Sequence, residues 1–206
     1  SYLTAYNNGD YGVYAFDAVD GVLDHSYATG SPDAGFYIGQ CYPCDAIVNN
    51  VVSEYNGLGY SGTNSGGSLY ITSSIFRNNK GGLAPNTLDS ELLPPERETF
   101  IIGNLIENNN NYNSPATNST YLSYGNGVVI AGGNNNIIKN NVIVDHDLYG
   151  VILTASMDVN YWPAHGNRVE ENLILSSRKA DIAVSGVSNL ANCFEGNYFN
   201  TSIPPG

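Results

Sequence analysis

One pattern recurs along this chain: an apolar residue, two variable residues, an Asn-like residue, then an apolar residue two places on. The Asn-like position is held by His25, Asn50, Ser74, Asn104, Asn141, Asn172 and Asn197. Val22, Ile47, Ile71, Ile101, Ile138, Val169 and Phe194 stand before it, and Tyr27, Val52, Phe76, Ile106, Ile143, Ile174 and Phe199 after it. Successive Asn-like positions lie 25, 24, 30, 37, 31 and 25 residues apart. Such a period marks a repeat architecture, in which a unit that cannot bury its apolar face alone stacks on its neighbours. The apolar runs are too short for helices and rich in β-branched residues, so the unit is read as one winding of an all-β parallel solenoid.

Each unit offers three such runs. One precedes the Asn-like residue (Ala46 to Val48, Phe100 to Ile102), one follows it (Val51 to Ser53, Leu105 to Glu107), and one follows a glycine (Val13 to Phe16, Phe36 to Ile38, Val128 to Ala131, Val151 to Thr154). Side chains alternate along a strand, which turns Val13, Phe36, Ile38, Val128, Ile130, Val151 and Leu153 inward. Spacing beyond the base period has to be loop. The three insertions, Asn86 to Glu98, Asn108 to Asn126 and Ala155 to Gly166, all flank the Gly-led strand, and insertions in solenoids cluster on the binding face. Asn suits a tight bend because it tolerates left-handed backbone angles, and stacked amides can hydrogen-bond along the axis. Asn50, Ser74, Asn104, Asn141, Asn172 and Asn197 are therefore expected to form a structural ladder, with His25 in place of an Asn.

Lys and Arg number 7 against 19 Asp and Glu, for a net charge of −12. Such a surface repels phosphate backbones and anionic membranes, so neither nucleic acid nor a membrane is an expected partner. An acidic polysaccharide would also be repelled unless a basic patch or a cation intervened. No apolar run approaches the roughly 18 residues needed to span a bilayer. The chain opens directly in repeat-like sequence, and residues 1–206 are expected to be one domain of a longer protein. Cys41 and Cys44 form a CxxC. With no second CxxC a four-Cys zinc site is excluded, and no helix is readable to carry a thioredoxin-like site. A local disulfide across a turn of an exported protein, or two thiols, remain. Cys193 is expected to be a lone thiol near the core. Asn118 and Asn200 stand in glycosylation sequons.

The phrases "IVNNVVSEYNGLGYSG", "FIIGNLIENN", "IIKNNVIVDHDLYGVIL" and "RVEENLILSS" resemble the right-handed parallel β-helix proteins of the pectate-lyase-like superfamily, especially their generic repeat-containing members. The likeness runs from about Gly12 to Ser202. It implies a single right-handed parallel β-helix of about seven coils with an Asn ladder between the second and third strands. It also implies that the Gly-led strand is the first, whose outer face bears the polysaccharide groove in family enzymes.

Lyases of that family need a cation and a strong base. Only Arg97, in the 86–98 insertion, is placed for that role. The paired-Asp motifs of the pectin hydrolases and the Asp-Pro-His-Glu motif of the alginate epimerases are absent. No motif indicates a cofactor, calcium included. Asp145-His146-Asp147 is the densest ionisable cluster, either a general acid–base His or a solvated turn. Tyr14, Tyr37 and Tyr60 recur in successive Gly-led strands and are expected to face outward in a row, a platform for sugar rings. Asn64 follows directly, and Tyr161 and Trp162 would make a wall farther along. The leading reading is an extracellular or periplasmic β-helix that recognises carbohydrate through the Gly-led face. A structural or adhesive module contacting another protein, and a lyase-like enzyme, are the alternatives.

Overall fold

The computed structural model describes residues 1–117, 123–186 and 191–205. Three parallel sheets of 7, 8 and 7 strands run the length of the molecule; each full winding contributes a strand to each sheet, and Ser202–Ile203 adds the eighth strand to one of them. Strands 13–16, 34–39, 58–63, 81–86, 128–131, 149–154, 180–184 and 202–203 make the eight-stranded sheet, termed here the groove sheet. The chain then turns into a second sheet, which includes strands 46–49, 97–102 and 168–170, and a third, which includes 52–54, 105–107 and 173–175. Outside these sheets only the hairpin Ser156–Met157/Tyr161–Trp162 is antiparallel among the described strands. This is a parallel β-helix.

The interior is a set of vertical files. In the second sheet, Leu23, Val48, Ile71, Ile101, Ile138, Val169 and Phe194 lie in register. In the third, Ala28, Ser53, Phe76, Ile106, Ile143 and Ile174 do so. The first two windings thus sit one residue off the expected register. Val22 and Ile47 face solvent while Leu23 and Val48 point inward, and Tyr27 and Val52 lie outside the file that Ala28 and Ser53 occupy.

The same one-residue correction moves the ladder. The backbone N–H of Val51 donates to Ser74 Oγ (3.1 Å), Ser74 to Asn104 Oδ1 (3.0 Å), Asn104 to Asn141 Oδ1 (2.9 Å), Asn141 to Asn172 Oδ1 (2.9 Å) and Asn172 to Asn197 Oδ1 (3.0 Å). Ser26 and Val51, not His25 and Asn50, occupy this file in the early windings. The left-handed residue is the one before the file: φ is 46° at His25, 53° at Asn50, 50° at Ser73, 68° at Gly103 and 54° at Asn140. Bend and amide stack are therefore separate positions, and Asn at either looks the same in the sequence.

Two further amide files stand at the other corners. Between the third sheet and the groove sheet, Asn56, Asn79, Asn109 and His146 are linked, with the N–H of Asn56 donating to Asn79 Oδ1 at 2.9 Å and that of Asn79 to Asn109 Oδ1 at 3.2 Å. Between the groove sheet and the second sheet, Asn136, Asn167 and Asn192 do the same, at 2.9 Å for each backbone bond. Nearly every buried amide is satisfied in this way, as burial demands. A glycine column stands beside the Asn56 file, where the chain enters the groove sheet. A Cβ on Gly82 would lie 2.0 Å from the carbonyl oxygen of Gly127, and one on Gly127 would lie 2.5 Å from that of Gly150. Only a residue without a side chain fits there.

Candidate functional site

The three insertions rise around the outer face of the groove sheet and leave a cleft of about 520 Å³. Its floor is made by outward positions held in register: Tyr37 beside Ser61, Ser61 beside Ala84, and Thr63, Asn86, Ala131 and Thr154 in one file. These residues are mostly small, so the floor is low and the flanks stand above it.

The wall past the strand ends is built from two insertions. Asn64, almost fully buried, donates from Nδ2 to the carbonyls of Leu88 (2.7 Å) and Glu91 (2.9 Å) and accepts from the Leu88 N–H (3.1 Å). Gln40 Oε1 accepts from the Leu92 N–H at 2.9 Å. The hairpin of the later insertion docks on this loop. Asp89 accepts from the Asn160 N–H and Nδ2, each 2.7 Å, and from Trp162 Nε1 at 3.1 Å, and Ser156 Oγ donates to the Thr87 carbonyl at 2.7 Å. Ser123 from the 108–126 insertion lines the cleft elsewhere. Three phenols pack together at one end, with ring centroids 4.7 Å apart for Tyr11–Tyr14, 4.9 Å for Tyr11–Tyr37 and 4.8 Å for Tyr14–Tyr37.

Two carboxyl groups face this end. Burial pushes Asp33 up to about 6, the charges of Asp10 and Glu91 add to the rise, and a hydrogen bond from Tyr11 opposes it. Glu91 is also raised by burial, against the bond it accepts from the Tyr37 hydroxyl at 2.9 Å. The Tyr11 and Tyr37 hydroxyls are pushed above the usual phenol range by burial and by nearby carboxylates. The phenol hydroxyls can donate and the Glu91 carboxyl accepts from one of them, groups suited to hydroxyl-bearing ligands.

The expected site residues distribute unevenly. Tyr14 and Tyr37 share the aromatic end, but Tyr60 pairs with Phe36 and is wholly buried in the core. The reason is the glycine column. Gly59 takes the place of Gly35, so the residue after it turns inward as Phe36 does, and Ser61 takes the outward place. Asn64 is behind the wall and holds it. Tyr161 and Trp162 belong to the wall hairpin, with the Trp162 indole engaged by Asp89.

Arg97 stands outside the cleft. Its Nη1 donates to the carbonyls of Leu93 (3.1 Å) and Pro95 (2.6 Å), and its guanidinium lies 3.6 Å from the Tyr42 ring centroid. Asp145, His146 and Asp147 do not converge. Asp145 is a left-handed bend residue (φ 61°), His146 is buried in the second amide file, and Asp147 Oδ2 accepts from Tyr124 at 2.9 Å. Neither the solvated turn nor the acid–base His describes His146. Cys41 and Cys44 are disulfide-bonded, Cα to Cα 4.8 Å. Cys193 is exposed, not near the core. The Asn118 sequon lies outside the described residues.

Tyr11, Asp33, Ser61 and Glu91 were not singled out by the sequence. The recurring glycines, aligned on one another, would have placed Tyr11 and Asp33 just before a groove strand and Ser61 on its outer face. Nothing local marks Glu91, which comes to the cleft through a loop.

No protein-family model matches this sequence, and no curated protein matches it. Among solved structures it is similar to the mannuronan C-5 epimerase AlgE4 A-module of Azotobacter vinelandii, with a TM-score of 0.68, 17% identity, and 97% of this chain against 55% of that one. It is similar to the periplasmic alginate epimerase AlgG (TM-score 0.66, 13% identity, 95% against 44%). It is also similar to the AlgE6 A-module of A. vinelandii (TM-score 0.63, 18% identity, 98% against 63%). The chain thus spans between 44% and 63% of the length of these structures. With parallel sheets wound throughout and such neighbours across nearly its whole length, the chain has the right-handed parallel β-helix fold.

Proposed function

We propose that this protein binds a segment of polysaccharide in the cleft over the groove sheet. The observation that carries this reading is the cleft itself: an open trough with a low floor of Ser61, Thr63, Ala84, Asn86 and Ala131, walled by docked insertions and closed at one end by stacked phenols. Sugar rings have apolar faces that suit aromatic rings and hydroxyls that suit short polar side chains. The solved β-helices similar to it are described as alginate or mannuronan epimerases, which supports a carbohydrate-related role for this face. The Cys41–Cys44 disulfide supports an oxidising location such as the periplasm or the cell exterior.

A second reading has its own observation. Met157 (80% exposed), Val159 (83%) and Leu92 (69%) project from the wall insertions, and apolar residues on such a crest suit contact with another protein.

Affinity electrophoresis through a panel of polysaccharides separates the two. Retardation by at least one glycan is expected. It should be abolished in Ala131→Trp, which fills the trough without touching the core, and weakened roughly threefold to tenfold in Tyr14→Ala, the scale of one lost ring contact. Retardation by none of the glycans, with loss of self-association or partner capture in Met157→Ser/Val159→Ser, would support the protein-contact reading instead.

A further inference from the structure

We infer that the cleft is selective for uncharged sugars and excludes uronates, although the similar solved structures are described as acting on alginate or mannuronan. The inference rests on the polysaccharide-binding reading above and names the substrate class of that same cleft.

Among the described residues, the lining holds the carboxyl groups of Asp33 and Glu91 and not one Lys, Arg or His. Nor can a cation be supplied from nearby. All 7 Lys and Arg residues of the chain lie among the described residues, and each is engaged elsewhere. Arg77 pairs with Glu54 at 2.7 Å, Lys139 with Glu171 at 3.3 Å, Arg168 with Glu170, and Arg178 with Asp147 at 3.9 Å. Arg97 is bound to its own loop and the Tyr42 ring. Lys80 is buried, donates to the Tyr112 carbonyl at 2.6 Å and sits over the Tyr112 and Tyr124 rings. Lys179 lies 4.9 Å from the Tyr149 ring centroid.

A uronate carboxylate entering a walled trough loses water. That loss is tolerated when a cation or several donors replace the water, and it is opposed when like charges face it. Here it meets Glu91, whose partner phenol Tyr37 already donates to it, and Asp33, toward which Tyr11 is turned. A polyuronate repeats this conflict at every ring that lies in the trough. The net charge of −12 extends the repulsion to the approach of the polymer. A neutral glycan meets none of it: its hydroxyls donate to the carboxyl oxygens and exchange hydrogen bonds with Ser61, Thr63 and Asn86.

The test is affinity electrophoresis at pH 7.5 on the whole chain. Neutral polymers (β-glucan, mannan, xylan, galactan) are run against polymannuronate and polygalacturonate, each with and without calcium. Two independent trough-filling variants, Ala131→Trp and Thr154→Trp, serve as controls once their melting temperatures show that they fold. At least one neutral polymer should be bound at least tenfold more tightly than either polyuronate, and both variants should lose it. A polyuronate bound as tightly as the best neutral polymer, and lost in both variants, overturns the charge selectivity while leaving the cleft as the binding site. Retention by no polymer, or retention unchanged in both variants, overturns the cleft reading itself and the selectivity with it.

Discussion

At position 146 an imidazole stands in for a carboxamide. Nδ1 accepts from the Asn109 N–H at 3.4 Å, and Nε2 faces the Ile106 carbonyl at 3.3 Å, the two contacts that an Asn makes one winding earlier. Both are met by a neutral ring with its proton on Nε2. Burial drops His146 to about 4, against contrary effects of the Ile106 carbonyl and the Asp147 charge. The unfolded chain therefore binds the proton more readily, and stability that is full above pH 6.5 is lost as pH falls toward 4. Glu96 acts with the opposite sign. Burial raises its carboxyl from 4.5 to about 8, despite hydrogen bonds from Thr99 Oγ1 and Asn136 Nδ2 at 2.8 Å each. The folded state holds this proton, so its contribution is full below pH 4.5 and declines as pH rises through about 8. Urea unfolding across pH 4 to 8.5 checks both. His146→Asn should flatten the acid limb with little loss at pH 7.5, His146→Ala should cost about 1–3 kcal/mol at pH 7.5 and less as pH falls toward 4, and Glu96→Gln should flatten the alkaline limb.

The elements are specified by columns that differ in how plainly they show in sequence. The file through Ile71, Ile101, Ile138 and Val169 was legible, because every member is apolar and stands three residues before an Asn or Ser. Its first two members were not. Val22-Leu23 and Ile47-Val48 are apolar on both faces, and His25 and Asn50 sit at the bend, one place before the amide file. The second file was hidden for another reason. Its members lie five residues after those of the first, and the spacings of 30 and 37 residues simply repeat (Asn79, Asn109 and His146 against Ser74, Asn104 and Asn141), so one pattern absorbed both. Tyr60 was misread because an aromatic is acceptable on either face of a strand, whereas glycine in the column at the start of the groove strands is not negotiable. Gly82→Ala should therefore destabilise by about 1–3 kcal/mol through overpacking against backbone, seen as a lower urea midpoint at unchanged m. The same substitution at Gly9, where nothing lies within 4 Å, should leave the midpoint in place.

Across the whole molecule, the site was half legible. That insertions gather on one face follows from the period and the excess spacing. What they build there depends on long-range side-chain contacts, such as Glu91 on Tyr37 and Asp89 on Asn160, that no spacing encodes. A stack of windings has mainly nearest-neighbour contacts and loosens from its ends. The docked insertions break that rule, since residues 87–92 touch Tyr37 and Gln40 on one side and Asn160 and Trp162 on the other. Asp89→Ala should raise amide hydrogen exchange in 155–163 and in the 87–92 loop, while the central β-strands keep their protection. A coil spring can stretch, twist or bend at any turn, but one with a strut bolted along its flank keeps its pitch there. Ring-to-ring distances in a bound polymer are fixed by chemistry, so a trough that keeps its length needs no adjustment when one arrives.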